Sequence, residues 1–552
     1  MRLLLDIETT LDHSKIWCVV TKDLDTNEVR VWKEAKDLSE YIKAASLIVA
    51  HNGIAFDFYL LNKLWQCQIT LKKVEDTLVL SRLVNPSREG GHSLANLGST
   101  LGINKSEFTD FDLKEQSLDD MIAYCVQDVE VLHRIYNYLK SELKRQEFSL
   151  TSQELEHEIQ AIIAVQERNG FKFDESSAMR LLAELKTKLD SITVEMQRIF
   201  PPKITSGRTH KTTGKALKDI VEEFNPGSRK QIAERLIEKG WKPEKFTEKG
   251  SVIVDETTLE GLDFPEAKAI AEYLMLQKRI AQIESWMDAI QADGRVHGKV
   301  ITNGAVTGRM THHSPNMAQV PNASAIYGPD CRNLWIVEKG CKLVGIDASG
   351  LELRMLAHYM NDNEYTNEVV EGDIHTANQK AAGLETRNQA KTFIYAFLYG
   401  AGAAKIGKIV GGSPKTGQKL IDNFLRNTPK LQRLRDRVSK AVASRGCLQG
   451  IDGRKLLIRS EHSALNTLLQ GAGAIVMKKA LVLLHKDLTK RKIPFKFVAN
   501  VHDEWQLEVP EQYADEVGQS GVRAITNAGL EFKMNCPLTG EYKVGNTWKE
   551  TH

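Results

Sequence analysis

The hydrophobic pattern of the chain changes period twice. Over residues 1–145, short strand-like stretches, RLLLDIE (2–8), KIWCVVTKD (15–23), EVRVWK (28–33) and SLIVAHN (46–52), lead into one long helical run, DDMIAYCVQDVEVLHRIYNYLKSELKR (119–145). Alternating short strands and helices predict an α/β domain. From about 150 to 300 the apolar residues recur at helical spacing, as in QELEHEIQAIIAVQERNG (153–170) and PEAKAIAEYLMLQKRIAQIESWMDAI (265–290). Strands return at KLVGIDAS (342–349) and FVANVHDEWQLEV (497–509), with helices between 361 and 490. The polar, basic PPKITSGRTHKTTGK (201–215) predicts a loop. No internal repeat is present.

A chain of 552 residues exceeds what one core organises and predicts three to five structural units. With 42% hydrophobic and 26% charged residues it reads as an ordinary globular chain. No uninterrupted apolar run approaches the roughly 20 residues that span a bilayer, so no membrane role is expected and the cytoplasm is the default location. The seven cysteines are scattered, with no CxxC pair, which argues for reduced thiols and against a zinc knuckle or disulfide framework. The net charge of +2 says little by itself. Locally, residues 201–250 carry 12 Lys/Arg against 7 Asp/Glu and residues 381–420 carry 6 against 1, which suits phosphate-rich partners.

Two carboxylates stand at strand ends far apart in sequence: Asp347 in DASGLELRMLAHY (347–359) and Asp503 in VHDEWQLEV (501–509). Brought together, such a pair can hold two Mg²⁺ ions about 3.5–4 Å apart for in-line displacement at phosphorus. Between them, RNQAKTFIYAFLYG (387–400) places Arg387, Lys391 and Tyr395 at i, i+4 and i+8 on one helical stripe, with Thr386 as a cap and Gly400 as a stop. Cations in that register meet a triphosphate. In the first domain, Asp6 and Glu8 of LLLDIETT alternate on one strand face, HNGIAFDF adds Asp57, and YCVQDVEV adds Tyr124 and Asp128 at i and i+4 on a helix. Four carboxylates from three segments form a second two-metal site, with the tyrosine hydroxyl placed to orient water.

In their order and wording these segments resemble motifs A, B and C of family A DNA polymerases, and the first group is similar to the DEDDy exonuclease pattern. DASGLELR, KTFIYAFLYGAG and NTLLQGAGA are most similar to the enzymes of T-seven-like short-tailed phages. The resemblance implies an α/β-plus-α fold: a ribonuclease-H-like 3′→5′ exonuclease domain (1–145) followed by a right-hand polymerase domain (146–552). The thumb would be about 175–300, the palm about 300–360 with 466–552, and the fingers about 361–465. It implies catalytic roles for Asp347, Asp503, Asp6, Glu8, Asp57, Tyr124 and Asp128. Metal contacts would come from Asp347, Ala348, Asp503, Asp6, Glu8, Asp57 and Asp128, with two Mg²⁺ per site and Mn²⁺ as a substitute.

Further roles follow from the same resemblance. Arg387, Lys391, Tyr395, His375, Glu352 and Tyr399 would contact the incoming nucleotide, Glu352 by excluding a ribose 2′-hydroxyl. Arg309, Gln470 and His502 would read the minor groove at the primer end, where acceptor positions report pair geometry without reading sequence. The family carries either Phe or Tyr at position 395, and the tyrosine hydroxyl would make dideoxynucleotides acceptable. Primer-template DNA and deoxynucleoside triphosphates are the implied partners, with a replicative helicase or single-strand-binding protein beside them. In the phage enzymes a long thumb insertion recruits thioredoxin. Here only PPKITSGRTHKTTGKALKDIVEE (201–223) fills that place, so no thioredoxin partner is expected. No 5′-nuclease segment precedes Met1, so nick translation is not expected either. Two rival readings are a single-subunit RNA polymerase, opposed by Glu352 and the exonuclease segments, and a catalytically silent DNA-binding subunit, opposed by the intact set of carboxylates.

Overall fold

The computed structural model describes residues 1–104, 117–207, 210, 212–216 and 218–552. The first domain is built on a five-stranded sheet in the order Val29–Trp32, Ile16–Asp23, Arg2–Thr9, Leu47–Ala50, Val74–Asp76. The central strand Arg2–Thr9 runs antiparallel to its partner Ile16–Asp23 and parallel to Leu47–Ala50. Both faces of this strand are covered. Leu3, Leu5 and Ile7 pack into one core, and Leu4 packs with Cys18 and Val20 into another beneath the helix Leu118–Arg145. That helix starts at a capping box, in which Ser117 and Asp120 satisfy each other's backbone amides.

The linking helix Leu150–Asn169 joins the first domain to everything that follows. Its His157 Nε2 accepts the amide of Asp76 at 2.8 Å on the exonuclease-like side. One residue earlier, the fully buried Glu156 receives Lys478 Nζ at 2.6 Å and Arg454 Nη1 at 2.6 Å. Arg454 also pairs with Asp452 at 2.7 Å. A buried carboxylate is tolerated only when paired in this way.

The second sheet is four-stranded and antiparallel, in the order Lys496–Val501, Glu504–Pro510, Cys341–Ala348, Gly540–Gly545. The apolar run of Cys341–Ala348 is central on both sides, so Leu343, Val344 and Ile346 are wholly buried. Gly345 is required in that strand, because a Cβ there would lie 2.3 Å from the Thr551 carbonyl. The long helix Ala464–Lys490 packs behind the sheet. By length and composition alone it could cross a membrane, but it is not an unbroken apolar run and 83% of its apolar window is buried inside the protein. It is a core helix of the fold.

Residues 361–465 are helical, as the sequence pattern predicts, apart from the short hairpin strands Cys447–Gln449 and Lys455–Leu457 and a single 3-10 turn, Glu461–Ser463. The segment 201–215 differs from its expected loop. Lys203–Thr205 forms a strand paired with Ile220–Glu222, and residues 208, 209, 211 and 217 of the basic stretch lie outside the described residues.

Candidate active sites

Asp6 and Glu8 continue the Leu4 face of the central strand and point toward the helix that carries Tyr124 and Asp128. Asp57 opens the helix Asp57–Trp65, and the loop before it is held by Asp76, whose carboxylate accepts the amides of Asn52 at 2.9 Å and Ile54 at 3.1 Å. The four carboxylates converge. Burial pushes the Asp6 carboxyl well above the usual carboxylate range, and the charges of Asp57, Asp128 and Glu8 push it further. Asp57 is driven to about 8 by burial first, with Asp76 and Glu8 adding repulsion. Tyr124 is half-buried one turn before Asp128. Oxygen donors crowded against each other's charge fit a hard divalent cation, which removes the repulsion that burial amplifies.

The second group assembles at one edge of the four-stranded sheet. Asp347 lies at the exposed end of its strand, paired with Glu504 on one side and Glu541 on the other. Asp503 belongs to the two-residue turn His502–Asp503 between neighbouring strands, and His502 takes a left-handed φ of 55° to make that turn. The Ala348 amide donates to the Asp503 carbonyl at 3.2 Å, which fixes the two segments against each other. Although the residue is exposed, partial loss of water around its carboxyl in the cleft raises Asp347 to about 6, with the charges of Glu504 and Asp503 adding to it. Burial also raises Asp503, opposed by the nearby Arg309 guanidinium. A cleft of about 610 Å³ opens over them, walled in part by Lys278, Arg279 and Arg332.

The helix Arg387–Leu398 begins at a Thr386–Gln389 capping box and stops before Gly400, where a φ of +75° and the His462 carbonyl, which a Cβ would meet at 2.6 Å, exclude a side chain. Arg387 and Lys391 are exposed on it. Arg387 Nε is held at 2.7 Å by Asp373, at the cap of the helix that carries His375. His375 and Tyr395 bring their rings to 6.4 Å. At the far end, Tyr399 donates to Glu352 at 2.8 Å, and Arg309 Nη2 lies 3.4 Å from the same carboxylate oxygen. Arg309, His502 and Asp503 line one cavity. Gln470 is half-buried on the helix Ala464–Lys490, and no hydrogen bond among the described residues ties it to Arg309 or His502.

Residues 203–550 match the family described as DNA polymerase family A. The chain belongs to that family. Residues 11–144 match a 3′-5′ exonuclease family, a stretch that contains Asp57, Tyr124 and Asp128 and begins just after Asp6 and Glu8. The chain is similar to the DNA-directed DNA polymerase of Escherichia phage T7, at 34% identity over 98% of each chain. It is similar in the same degree to that of Enterobacteria phage T3, at 34% identity over 93% of this chain and 94% of the relative. In fold it is similar to the polymerase domain of Pol1 from M. smegmatis, solved with DNA primer-template and dNTP: TM-score 0.83, 18% identity, covering 100% of this chain and 96% of the other. The chain is thus a family A DNA polymerase with an N-terminal 3′-5′ exonuclease domain, an α/β architecture followed by the polymerase domain.

Within this family A fold, several side chains around the carboxylates carry no sequence motif of their own. Glu504 accepts hydrogen bonds from Gln506 and from Trp548 Nε1 at 2.7 Å, and His552 Nδ1 lies 2.6 Å from its second oxygen. Burial pushes Glu504 up, but these partners outweigh it and hold the carboxyl below its usual range. Trp548 and His552 lie some forty residues beyond Glu504 and are placed by the close approach of Thr551 to Gly345. Cys125 sits in the exonuclease cluster, with Sγ 3.3 Å from Asp6 Oδ2. The only sequence signal for it was its place between Tyr124 and Asp128.

Proposed function

We propose that this polymerase extends a primed DNA template at Asp347 and Asp503 and removes nucleotides from the same 3′ end at Asp6, Glu8, Asp57 and Asp128. The observation that carries the first half is the convergence of Asp347 and Asp503, more than 150 residues apart, on one sheet edge beneath a basic-walled cleft. For the second half it is the mutual repulsion of four carboxylates from three segments. Two Mg²⁺ in each site, with Mn²⁺ as a substitute, would neutralise charge on the attacking and leaving oxygens. Asp347, the Ala348 backbone and Asp503 would hold one pair, and the four exonuclease carboxylates the other.

The surrounding residues bind and orient. Lys391 is exposed and ready for a triphosphate, whereas Arg387 must first exchange Asp373 for it. His375 and Tyr395 form the wall against the sugar and phosphates. Glu352, fixed by Tyr399 and Arg309, stands where a ribose 2′-hydroxyl would intrude, and Tyr399 closes the position of the pairing base. Arg309, His502 and Gln470 would contact the minor groove of the primer end, and Tyr124 would orient the water that attacks in the exonuclease site. On this reading residues 1–145 are the exonuclease domain and 146–552 the polymerase domain. The thumb is about 175–300, the palm about 300–360 with 466–552, and the fingers about 361–465.

The partners are primer-template DNA and deoxynucleoside triphosphates, with a helicase or single-strand-binding protein at a replication fork in the host cytoplasm. Thioredoxin is not among them. The alignment with the phage T7 relative runs over 691 positions against a chain of 552 residues, so more than a hundred positions of the relative have no counterpart here. A labelled primer on a longer template tests the proposal: with Mg²⁺ and four dNTPs it lengthens to the template end, without dNTPs it shortens from its 3′ end, and chelation stops both. Template-independent addition or 5′ shortening would contradict it. Thioredoxin should leave product length unchanged.

A further inference from the structure

One buried carboxylate of the exonuclease domain belongs to neither candidate site. Asp76 is 1% exposed and ends the strand Val74–Asp76. It caps the helix Thr77–Val84 by accepting the Leu78 amide at 2.9 Å, and the same carboxylate accepts the amides of Asn52 at 2.9 Å and Ile54 at 3.1 Å. Backbone donors of this kind satisfy a charge that burial would otherwise make costly. The loop it grips leads straight to Asp57. Asn52 turns the chain with a left-handed φ of 63°, the Phe56 amide donates to the Asn52 carbonyl at 3.1 Å, and the Phe58 amide donates to the Gly53 carbonyl at 2.8 Å. A Cβ on Gly53 would lie 2.6 Å from that of Ala50, so the loop has no slack. Asp57 therefore sits where Asp76 puts the loop.

Asp76 takes its own position from outside the domain. Val74–Asp76 is the edge of the five-stranded sheet, and no further strand among the described residues meets its outer side. There the Asp76 amide donates to His157 Nε2 at 2.8 Å. His157 Nδ1 lies 2.7 Å from the Gln153 carbonyl, which can only accept, so Nδ1 carries the proton and Nε2 is left to accept. The ring is 6% exposed, and the residue before it, Glu156, is locked to Lys478 and Arg454. His157 lies beyond 11–144, the stretch that matches the exonuclease family. We infer that His157 is a positioning residue for degradation of the primer end: through the amide and carboxylate of Asp76 it fixes the loop 52–56, and so the Asp57 carboxylate among its partners. It touches neither substrate nor reacting atoms. Reacting groups tolerate little displacement, and an error near 1 Å costs on the order of 10²-fold in rate. The exonuclease site is thus held in register by a helix anchored in the polymerase core, and degradation depends on the His157 contact whereas extension does not. The inference rests on the reading of Asp57 as a carboxylate of the exonuclease site.

The test compares the full chain with His157→Leu, which removes the acceptor and keeps apolar bulk, and with His157→Gln, whose amide still offers an acceptor and a donor. The constants kcat and KM are measured for degradation of a single-stranded primer and for extension of a paired one, and amide hydrogen exchange is followed over residues 51–58. His157→Leu should lower kcat for degradation by about 10-fold or more, while its KM and both constants for extension stay within about 2-fold. Exchange over 51–58 should quicken in the same variant. His157→Gln should return most of the lost rate and slow exchange again. Retained extension shows that the leucine variant is folded; if extension falls with it, Asp76→Asn takes its place and should show the same split. Parental degradation, unchanged exchange, or equal losses in the leucine and glutamine variants overturns the inference, the last by showing that the ring only fills space. Quicker exchange in a chain that never degrades primer, or whose Asp57→Ala form degrades it as before, leaves His157 holding the loop and removes the exonuclease reading of Asp57 instead. Parental exchange in a His157→Leu chain that degrades primer normally does the reverse.

Discussion

The two carboxylate groups differ in how far they are closed off from solvent. In the exonuclease domain the carboxylates are more enclosed: Asp57 and Asp128 are almost wholly buried, a helix covers the strand that carries the half-buried Asp6 and Glu8, and burial raises both Asp6 and Asp57. In the polymerase domain loss of water raises Asp347 and Asp503 too, but Asp347 is exposed at a sheet edge, Asp503 rides on a two-residue turn, and a wide cleft lies over both. An enclosed cluster stores repulsion that a cation relieves without help from substrate. An open pair leaves coordination positions for substrate phosphates, which is how Mg²⁺ is usually held beside a nucleotide. The difference suits the tasks proposed for them, in which one site would take a single frayed strand end and the other would admit a duplex and a triphosphate.

The largest effect should come from removing carboxylates one site at a time. Asp347→Asn or Asp503→Asn should slow extension by about 10³-fold or more, several kcal/mol of lost transition-state stabilisation, and leave degradation in place. Asp6→Ala with Glu8→Ala should do the opposite. Initial rates on one labelled primer, with and without dNTPs, measure both. A single well-folded variant that loses both activities would erase the contrast.

Next is the element that the two sites share. The linking helix Leu150–Asn169 touches the exonuclease-like side through His157 and the polymerase core through Glu156. Glu156→Gln leaves Arg454 and Lys478 buried with less counter-charge, and breaking such a pair costs about 3–5 kcal/mol. Both activities should then fail at a lower urea concentration, together. Loss of one activity with the other unmoved would show that the helix does not couple the domains.

A smaller effect is expected at Tyr395. Its hydroxyl lies on the stripe with Arg387 and Lys391 and would fill the space of a missing sugar 3′-hydroxyl. Tyr395→Phe should therefore raise discrimination against dideoxynucleotides by about 10- to 100-fold, the size of one or two kcal/mol in the transition state. Single-nucleotide kinetics with Asp6 and Glu8 silenced reads this directly, and strong discrimination by the unmodified chain would contradict it. The smallest effect should be at Glu504, whose oxygens are already taken by Gln506, Trp548 and His552. Glu504→Gln should keep extension within about 10-fold of the parent, unlike its neighbour Asp503.

The legible part of the chain was the part written locally. Asp6 with Glu8, Tyr124 with Asp128, and Arg387 with Lys391 and Tyr395 each sit in one strand or one helix, so period alone puts them on a shared face. The capping box at Thr386 and the stop at Gly400 are local too, and the structure has both. What the sequence hid depends on contacts between distant segments. His552 and Trp548 reach Glu504 only because the last residues fold back over Gly345. Cys125 faces Asp6 through the packing of a helix on a sheet. The strand Lys203–Thr205 lay inside a polar stretch, where pairing with Ile220–Glu222 decides the structure and no apolar alternation announces it. The helix Ala464–Lys490 is apolar on all sides because the core surrounds it.

The central claim is that one chain carries two independent metal-dependent sites acting on one primer end. It is tested most directly with a primer whose 3′ nucleotide is mispaired, incubated with Mg²⁺ and all four dNTPs. The parent chain should shorten this primer by the mispaired nucleotide and then extend it. Asp6→Ala with Glu8→Ala should stall on the same primer while extending a paired one at the parental rate, and Asp347→Asn should trim it and stop. Trimming that survives the Asp6 and Glu8 substitutions would contradict the account.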